Sequence, residues 1–311
     1  MKIPAAPFVT IAVCTRDRPV ELERFLASAT RLAIPDGLSW ELLIVDNGSA
    51  GGIEDLARRF RHRLPLRVVA EPRAGLSNAR NRAVAEARGR YICWTDDDVL
   101  LGADWLSAYA AAFRRHPEAA VFGGPIAALF DQPSPRWVRA SMAGTPLPGA
   151  FAQLDIRREE PILDPREQSP WGANFAIRTV EQRQVAYDPR LGRSPHHARV
   201  GEECDLIVRL FDRGASGFWV PDAIVQHRIP LDRQTRRRAW AYFNSVGQTA
   251  EFTAPDAARR WSRTGLITRV GAYGALFGLA SAVRRHRQAT TFLARTGIYA
   301  GMLRSRRESV R

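Results

Sequence analysis

The first hundred residues alternate short apolar runs with amphipathic stretches, and this alternation restricts the folds open to the chain. In chain order the pattern predicts a strand over 8–14, a helix from 19, a strand over 40–45, a helix over 53–60, a strand over 66–70, a helix over 76–87 and a strand over 91–95. Strands separated by helices of this length form βαβ units around a mostly parallel sheet. The sequence therefore predicts an α/β fold with a central sheet flanked by helices.

Polar residues follow three of these strands at the point where each strand ends. They occupy positions 15–18, 46–49 and 96–98. In parallel α/β sheets ligands bind beyond the carboxyl ends of the strands. We therefore expect these three groups to contribute to one binding site.

The last of these groups consists of three consecutive aspartates, Asp96, Asp97 and Asp98. Their burial without a counter-charge would be costly, because adjacent carboxylates repel one another. A divalent cation would relieve that repulsion, and Mg²⁺ typically takes one or two carboxylates together with substrate phosphates. The alternative is a solvated acidic turn, or an acidic cluster at the start of a helix over 103–114.

Four further features of the chain indicate chemistry. Arg80 lies in the first turns of the third helix, where it could meet a diphosphate, or it belongs to an ordinary capped helix with solvated arginines. Glu202 and Glu203 precede an apolar helical run and supply either a general base or acids favoured by the helix dipole. A loop containing Gly172 suits the close approach of a ligand, or is a plain turn. His227 ends a short strand, and a lone histidine is more often structural than a ligand.

Composition and charge limit the class of protein. Three widely spaced cysteines exclude a disulfide scaffold and a C-x-x-C metal site. Residues 1–7 contain no apolar region of signal-peptide length, so we expect a cytoplasmic protein.

Residues 125–170 are rich in proline and predict an irregular, substrate-facing insertion without long helices. The net charge of +14 is concentrated in residues 228–311, which hold 17 arginines against 4 acidic residues.

This basic segment contains an uncharged stretch of 14 residues, 270–283, between Arg269 and Arg284. Because a spanning helix needs about 20 apolar residues, the stretch is too short to cross a bilayer. It predicts either an interfacial or hairpin-packed helix beside anionic lipid, or a soluble helical subdomain that covers the sheet. G-x-x-x-G spacings at 274/278 and 297/301 would permit close helix contacts.

Taken together, the motifs resemble the family-2 nucleotide-sugar glycosyltransferases, inverting enzymes of the GT-A fold, over about residues 8–227. Segments 11–19 and 43–49 look like the family's two nucleotide-binding segments, and residues 96–98 fit its D-x-D pattern. The resemblance implies a glycosyltransferase domain over 1–227 with a Rossmann-like, mostly parallel sheet. The charge and helical pattern of the remaining residues predict a basic helical extension over 228–311.

The resemblance also implies roles for individual residues. Those at the nucleotide-sugar donor would be Thr15, Arg18, Asp46, Arg80, Asp96, Asp97, Gly172 and Asn174. Asp98, Asp96 and His227 would hold Mg²⁺ or Mn²⁺. The family's acidic motif usually reads Glu-Asp, whereas this chain has Glu202-Glu203, so the residue aligned with the catalytic base is one methylene longer. We expect Glu203 to be the base, with Glu202 or Asp205 as the alternatives.

The implied reaction is the transfer of a sugar, with inversion, from a nucleoside-diphosphate donor such as a UDP-sugar. The acceptor would be a hydroxyl group of a glycan, a lipid-linked molecule or a small molecule in cell-envelope or other glycan synthesis. An anionic membrane surface at the inner face of the plasma membrane is a further predicted partner of the basic extension.

Two other classes of function stay open at this point. A nucleic-acid-binding protein could use the arginine-rich segment to bind phosphates, but that segment lacks a recognisable reading motif and the acidic strand end would repel nucleic acid. No nucleic-acid partner is therefore expected. A glycosyltransferase-like pseudoenzyme would bind nucleotide without transferring sugar. It is suggested only by Glu203, which stands where the family's acidic motif usually has Asp.

Overall fold

The structure, a computed structural model, describes residues 8–155, 161–162, 164–167, 169–253 and 261–308. Residues 1–7, on which the expectation about a signal peptide rests, lie outside the described residues, as do a few positions of the proline-rich segment. The chain forms two compact units. The first comprises Met1–Ala127, Leu154–Pro195 and Glu202–His227, and the second comprises Ala128–Gln153, His196–Gly201 and Arg228–Arg311. The functional division into domains 1–227 and 228–311 stays a prediction.

The strands of the described chain are β1 (Val9–Thr15), β2 (Trp40–Asp46), β3 (Leu66–Ala70), β4 (Tyr91–Asp96), β5 (Val99–Leu101), β6 (Val121–Gly123), β7 (Ile126–Phe130), β8 (Pro161–Ile162), β9 (Asn174–Arg178), β10 (Gly217–Trp219) and β11 (Val225–Ile229). Eight of them form one sheet in the order β3-β2-β1-β4-β9-β6-β10-β8. Neighbours from β3 to β4 are parallel, whereas β9 runs antiparallel to both β4 and β6. The predicted α/β fold with a mostly parallel sheet is confirmed.

The helices are α1 (Pro19–Ala29), α2 (Ile53–Arg58), α3 (Leu76–Glu86), α4 (Trp105–Arg115), α5 (Arg136–Ser141), α6 (Leu147–Ala150), α7 (Thr179–Gln182), α8 (Glu202–Phe211), α9 (Arg236–Thr253), α10 (Arg263–Ala282) and α11 (His286–Glu308). A 3-10 turn covers Leu231–Arg233. Ala79 and Ala83 of α3, together with Ala87 just after the helix, pack in one buried cluster with Leu43 and Trp94 of the sheet. Small side chains there let the helix lie close to the strands.

The register of the central strands brings the predicted site residues to one edge. Thr15 at the end of β1 pairs with Asp46 of β2, and Cys14 pairs with Asp96 of β4. Because these three strands are parallel, the turns that follow them leave the sheet on the same side. The predicted convergence of positions 15–18, 46–49 and 96–98 is therefore present in the backbone.

A second sheet has the strand order β5-β11-β7. In it β11 runs antiparallel to β5, with His227 opposite Val99. This pairing matters for the site, since Val99 directly follows the three aspartates.

The proline-rich segment contains only short helices among its described residues, α5 and α6, with six and four residues. Part of the segment contributes to the core of the second unit, where Val138, Leu147 and Phe151 pack with Phe243 and Leu293. Its predicted substrate-facing role stays a prediction.

Long helices make up most of the second unit. Gly297 and Gly301 of α11 allow close packing on α9, since a Cβ atom at Gly297 would lie 2.8 Å from Cβ of Phe243. The G-x-x-x-G contact predicted there is confirmed. A Cβ atom at Gly274 or Gly278 of α10 would meet nothing within 4 Å. None of the helices in the described ranges is long and apolar enough to cross a membrane.

Candidate active site

The aspartates at the end of β4 are neutralised in part by Arg18, which immediately precedes α1. Its guanidinium donates hydrogen bonds to Oδ1 of Asp97 at 2.6 Å and to Oδ2 of Asp98 at 2.9 Å. The Thr15 hydroxyl donates to the other oxygen of Asp97 at 2.7 Å. Thr15 and Arg18, both predicted to contact the donor, thus fix the acidic turn in place.

Asp97 is the most enclosed of the three carboxylates and is only 3% exposed. Burial raises the pKa of Asp97 to about 7, although the positive charge of Arg18 acts in the opposite direction. Because Asp97 is enclosed and bonded to Thr15 and Arg18, its carboxylate holds these two side chains in place. The predicted contact of Asp97 with the donor stays a prediction.

His227 and Asp98 lie side by side because β11 pairs with β5. Nε2 of His227 is 3.4 Å from Oδ1 of Asp98. In the described part of the chain, no group of three or more histidine, cysteine, aspartate or glutamate side chains is arranged to hold a metal ion. A carboxylate and an imidazole still suit Mn²⁺ or Mg²⁺ when substrate phosphates supply further oxygen ligands. The donor set at Asp98 and His227 fits such a cation.

Asp96, predicted at both the donor and the metal, is placed differently from Asp98. Its carboxylate is 37% exposed and lies 3.6 Å from the Arg80 guanidinium. The structure thus associates Asp96 with Arg80, while Asp98 is the carboxylate beside His227.

Arg80 projects from α3 into the interior and is 3% exposed. Its guanidinium carbon lies 5.6–5.8 Å from the ring centroids of Trp94, Phe175 and Tyr187. Nη1 is 3.1 Å from the Glu202 carboxylate. The prediction for Arg80 named the nucleotide or phosphates, and the contacts in the structure are with the protein's own rings and acids.

The charge on this buried guanidinium is maintained by its neighbours. Burial alone would lower the pKa of Arg80, but the charges of Glu202, Tyr187, Asp96 and Glu203 raise it above its ordinary value. Arg80 therefore acts as a fixed positive centre between the end of β4 and the start of α8.

The two glutamates at the start of α8 have different environments. Glu202 is 4% exposed, and burial together with the charge of Glu203 raises the pKa of Glu202 to about 7, against the effect of Arg80. Glu203 is half-buried, and its Oε1 accepts a hydrogen bond from the backbone N–H of Gly172 at 3.0 Å. No described residue donates a hydrogen bond to the second oxygen of Glu203. This arrangement favours Glu203 over Glu202 as the group that meets a substrate.

Asp205, the other alternative base, belongs to the surface of α8. Its Oδ2 accepts from Arg209 Nε at 2.9 Å, an ion pair one helical turn away. The structure does not group Asp205 with the Arg80 cluster.

Gly172 is required by close packing around the two charged groups. A Cβ atom there would lie 2.6 Å from Nη2 of Arg80 and 3.3 Å from Oε1 of Glu203. The carbonyl oxygen of Gly172 also accepts from Arg80 Nη2 at 3.3 Å. The backbone of this loop therefore connects the arginine to the candidate base.

Asn174, predicted to contact the donor, is fully buried and hydrogen-bonded within the protein. Its oxygen accepts from Trp105 Nε1 at 2.8 Å and from the Tyr109 hydroxyl at 2.9 Å. Its amide group donates to the carbonyl oxygens of Pro125 at 2.8 Å and Ala223 at 2.6 Å. An asparagine side chain can donate two hydrogen bonds and accept two, so none is left for a ligand. The Asn174 side chain fixes the loop through these hydrogen bonds, and the predicted contact of Asn174 with the donor stays a prediction.

The end of β2 and the turn after it contain one predicted residue, Asp46, and one that the sequence did not single out, Asn47. Asp46 Oδ1 accepts from the backbone N–H of Ser49 at 2.9 Å and shapes the turn. Asn47 donates to the carbonyl oxygens of Glu71 and Arg73 at 2.9 Å and 2.8 Å, and accepts from the Gly75 N–H at 2.8 Å. Asn47 thus ties the turn after β2 to the loop between β3 and α3. The only signal for it was its place in a turn at a strand end.

Comparison with known proteins adds to this geometry. Residues 10–178, more than half of the chain, match the family model described as glycosyl transferase family 2. The chain belongs to glycosyl transferase family 2. The succinoglycan biosynthesis protein ExoM of Rhizobium meliloti is 25% identical to this family-2 transferase over 306 residues, which cover 95% of this chain and 93% of ExoM.

Solved structures resemble the family-2 transferase over nearly its whole length. Mannosyltransferase PcManGT from Pyrobaculum calidifontis, in complex with GDP-Man and Mn²⁺, aligns with a TM-score of 0.57 at 16% identity, over 96% of this chain and 88% of that one. TarS 1-349 of S. aureus, in complex with UDP-GlcNAc, aligns with a TM-score of 0.52 at 16% identity, over 97% and 92% of the two chains. These similarities concern the fold, and they confirm the predicted GT-A class.

Proposed function

We propose that this family-2 glycosyltransferase moves a sugar from a UDP-sugar to a hydroxyl acceptor with inversion at the anomeric carbon. The observation that carries the proposal is the connection through Arg80. This buried cation contacts Asp96 at the strand end, Glu202 on α8, and the Gly172 loop that holds Glu203. Contacts of Arg80 thereby connect the strand-end aspartates, which are suited to binding the donor, with Glu203, which is suited to deprotonating the acceptor.

In the proposed reaction, the Glu203 carboxylate takes the proton of the acceptor hydroxyl group. The hydroxyl oxygen then attacks the anomeric carbon, and the bond from that carbon to the diphosphate oxygen breaks on the opposite face. The nucleoside diphosphate leaves with the bonding electrons, so a single displacement inverts the configuration. The Gly172 N–H orients Glu203 during this step.

Asp98 and His227 would hold the divalent cation, Mg²⁺ or Mn²⁺. When bound, such a cation supplies charge neutralisation for the diphosphate leaving group. Arg18 supports this position by pairing with Asp97 and Asp98, which limits the repulsion among the three carboxylates. The complex of PcManGT with Mn²⁺, a protein of the same fold, is consistent with this assignment.

The product is proposed to be a cell-envelope or extracellular polysaccharide. The nearly full-length similarity to a succinoglycan biosynthesis protein supports this class, with a glycan or lipid-linked acceptor. UDP is proposed as the nucleotide because TarS, of the same fold, is seen with UDP-GlcNAc, although PcManGT is seen with GDP-Man. Action at the cytoplasmic face of a membrane, with the basic extension on its anionic surface, completes the proposal.

A nucleotide-release assay tests the function. The full chain is incubated with Mn²⁺ and a panel of UDP-sugars and GDP-mannose, with and without oligosaccharide acceptors. We expect release of one kind of nucleotide, UDP, from a donor in the panel, and we expect Asp98→Asn to abolish this release. Asp104→Asn, which changes an exposed aspartate at the start of α4, is the matched control and should retain it. Nucleotide binding without release from any donor would instead identify a pseudoenzyme, and a salt-dependent DNA shift without release would favour the nucleic-acid alternative.

A further inference from the structure

Helix α10 carries an exposed surface with no charged side chain. The surface comprises Ile267, Ala272, Ala275, Leu276, Leu279 and Val283, and we call it the apolar face. Its four large side chains are between 40% and 67% exposed. The other exposed positions between Arg263 and Arg284 are threonine, glycine or alanine. Solvated helix faces normally carry polar and charged residues, so this surface needs another explanation.

The opposite side of α10 already provides its packing within the second unit. Leu266 and Ala280 are buried there. Tyr273 stacks on Tyr299 of α11 with ring centroids 5.7 Å apart, and its hydroxyl accepts from Arg295 at 3.1 Å. Because α10 is anchored by this side, the apolar face is not required for the core.

Arginines border the apolar face at both of its ends. Arg263 begins the helix, and Arg284 and Arg285 follow its last turn, all three exposed. Arg269, the remaining charged residue of α10, lies 3.5 Å over the Trp261 ring and takes no part in the face. A surface that is uncharged and largely apolar over residues 267–283, about 25 Å of helix, and basic at its ends is complementary to a bilayer with acidic headgroups.

Charge argues against a second copy of this chain as the occupant. Residues 228–311 hold 17 arginines and 4 acidic residues, and two such surfaces placed face to face would repel one another. The same charge attracts anionic lipid.

We infer that the apolar face docks on the surface of an anionic phospholipid bilayer. Leu276, Leu279 and Val283, which lie on one side of the helix, enter the boundary between headgroups and acyl chains, and Ile267 lies at the margin of the contact. The arginines at both ends of the helix lie beside lipid phosphates. The inference rests on the proposed function only for the presence of a membrane, and it adds which surface of the protein contacts the lipid. Docking itself is independent of sugar transfer.

Flotation of the full chain with vesicles tests the inference. We expect it to float with vesicles of phosphatidylglycerol and phosphatidylcholine, and to remain unbound with phosphatidylcholine alone. Leu279→Asp should lower the partition coefficient about tenfold, because it places a carboxylate at the centre of the contact. The matched control is Val180→Asp on α7, where the native side chain is 60% exposed, and its partition should equal that of the wild type.

A second variant addresses the charge. Arg284→Gln combined with Arg285→Gln should lower binding to anionic vesicles about tenfold. All these positions are exposed, so circular dichroism should show unchanged folding.

Equal flotation of Leu279→Asp and the wild type would overturn the inference. So would a wild type that fails to float but forms a dimer in light scattering that Leu279→Asp dissociates, since a second copy would then cover the face. Nucleotide release in the absence of vesicles is measured on the same samples. Flotation without any nucleotide release would refute the proposed function and leave docking supported.

Discussion

The guanidinium of Arg80 lies 3.1 Å from the carboxylate of Glu202, and both side chains are almost completely excluded from solvent. Removing one member of a buried ion pair leaves the other charge uncompensated, which costs about 3–5 kcal/mol. The charge of each residue is therefore tolerated in the interior because the other residue is present. It also gives Glu202 a role distinct from that of the adjacent Glu203.

At pH 8, where Glu202 is ionised, we expect Arg80→Met to lower the free energy of unfolding by about 3 kcal/mol or more, because it leaves the Glu202 carboxylate unpaired. Glu202→Gln should lower it less, because burial already disfavours the charged form of Glu202. The double variant should lose less than the sum of the two, by about 1 kcal/mol or more, because it leaves no unpaired charge. Urea unfolding of the four proteins measures this coupling. The exposed pair of Arg58 and Asp55, 2.9 Å apart, is the control and should show a much smaller coupling. Strict additivity at Arg80 and Glu202 would contradict the prediction.

The role of Glu203 can be separated from that of its neighbours by kinetics. Glu203→Gln should lower kcat about 10²–10⁴-fold with little change in KM for the donor, because a general base acts mainly in the transition state. Glu203→Asp should recover part of the rate, as it restores the carboxylate at a shorter reach. Asp205→Asn, on the same helix, should retain full activity. A Glu203→Gln enzyme with an unchanged kcat would exclude Glu203 as the base.

The α/β architecture of residues 8–96 was predictable because each element there has a local signal. Leu22, Phe25 and Leu26 repeat at helical spacing, and all three are buried on α1. The antiparallel insertion of β9 between β4 and β6 was not predictable. Its pairing joins Asn174 to Thr95, some eighty positions apart, and no local pattern records a contact of that range.

The candidate site was predictable to the extent that topology alone brings its residues together. The strand-end aspartates fall into this class, whereas Glu202 and Glu203 at the start of α8 were assigned to the site through the family resemblance. The environment of Arg80 does not, because an arginine on a helix normally lies in solvent. Its three rings come from β4, β9 and the segment after α7, and only the folded chain gathers them. The hydrogen bonds of Asn174 were not predictable either, because nothing in the sequence indicates that Trp105 and Tyr109 of α4 contact this side chain.

The proposed metal position predicts a specific dependence on His227. His227→Gln should raise the Mn²⁺ concentration needed for half-maximal nucleotide release by about 10-fold or more, while saturating Mn²⁺ restores part of the rate. Direct Mn²⁺ binding in the presence of UDP, followed by electron paramagnetic resonance, should weaken in parallel. His62→Gln, at an exposed position, is the control and should leave both measurements unchanged. Equal Mn²⁺ dependence of the two variants would remove His227 from the metal site.

Close packing at Gly172 makes the smallest side chain disruptive there. Gly172→Ala would bring a methyl group to 2.6 Å from Arg80 Nη2, so the guanidinium or the loop must move. We expect nucleotide release to fall at least about tenfold, since a small displacement of catalytic groups has a large effect on rate. The control is Gly274→Ala, at a helical position where the added methyl meets nothing within 4 Å, and it should not lower activity. An active Gly172→Ala enzyme would show that the Arg80 assembly tolerates movement.

Glu202 also predicts a pH dependence of stability. Burial raises the pKa of Glu202 from 4.5 to about 7 in the folded protein. Between these values the folded state binds more protons than the unfolded state, so this group's contribution to stability is complete below about pH 4.5 and is lost as the pH rises to about 7. One proton gives a slope of at most about 1.4 kcal/mol per pH unit. Urea unfolding from pH 5 to pH 8 should therefore show a shallower decline for Glu202→Gln than for the wild type. Asp205→Asn should keep the wild-type slope, and equal slopes for wild type and Glu202→Gln would contradict the raised pKa.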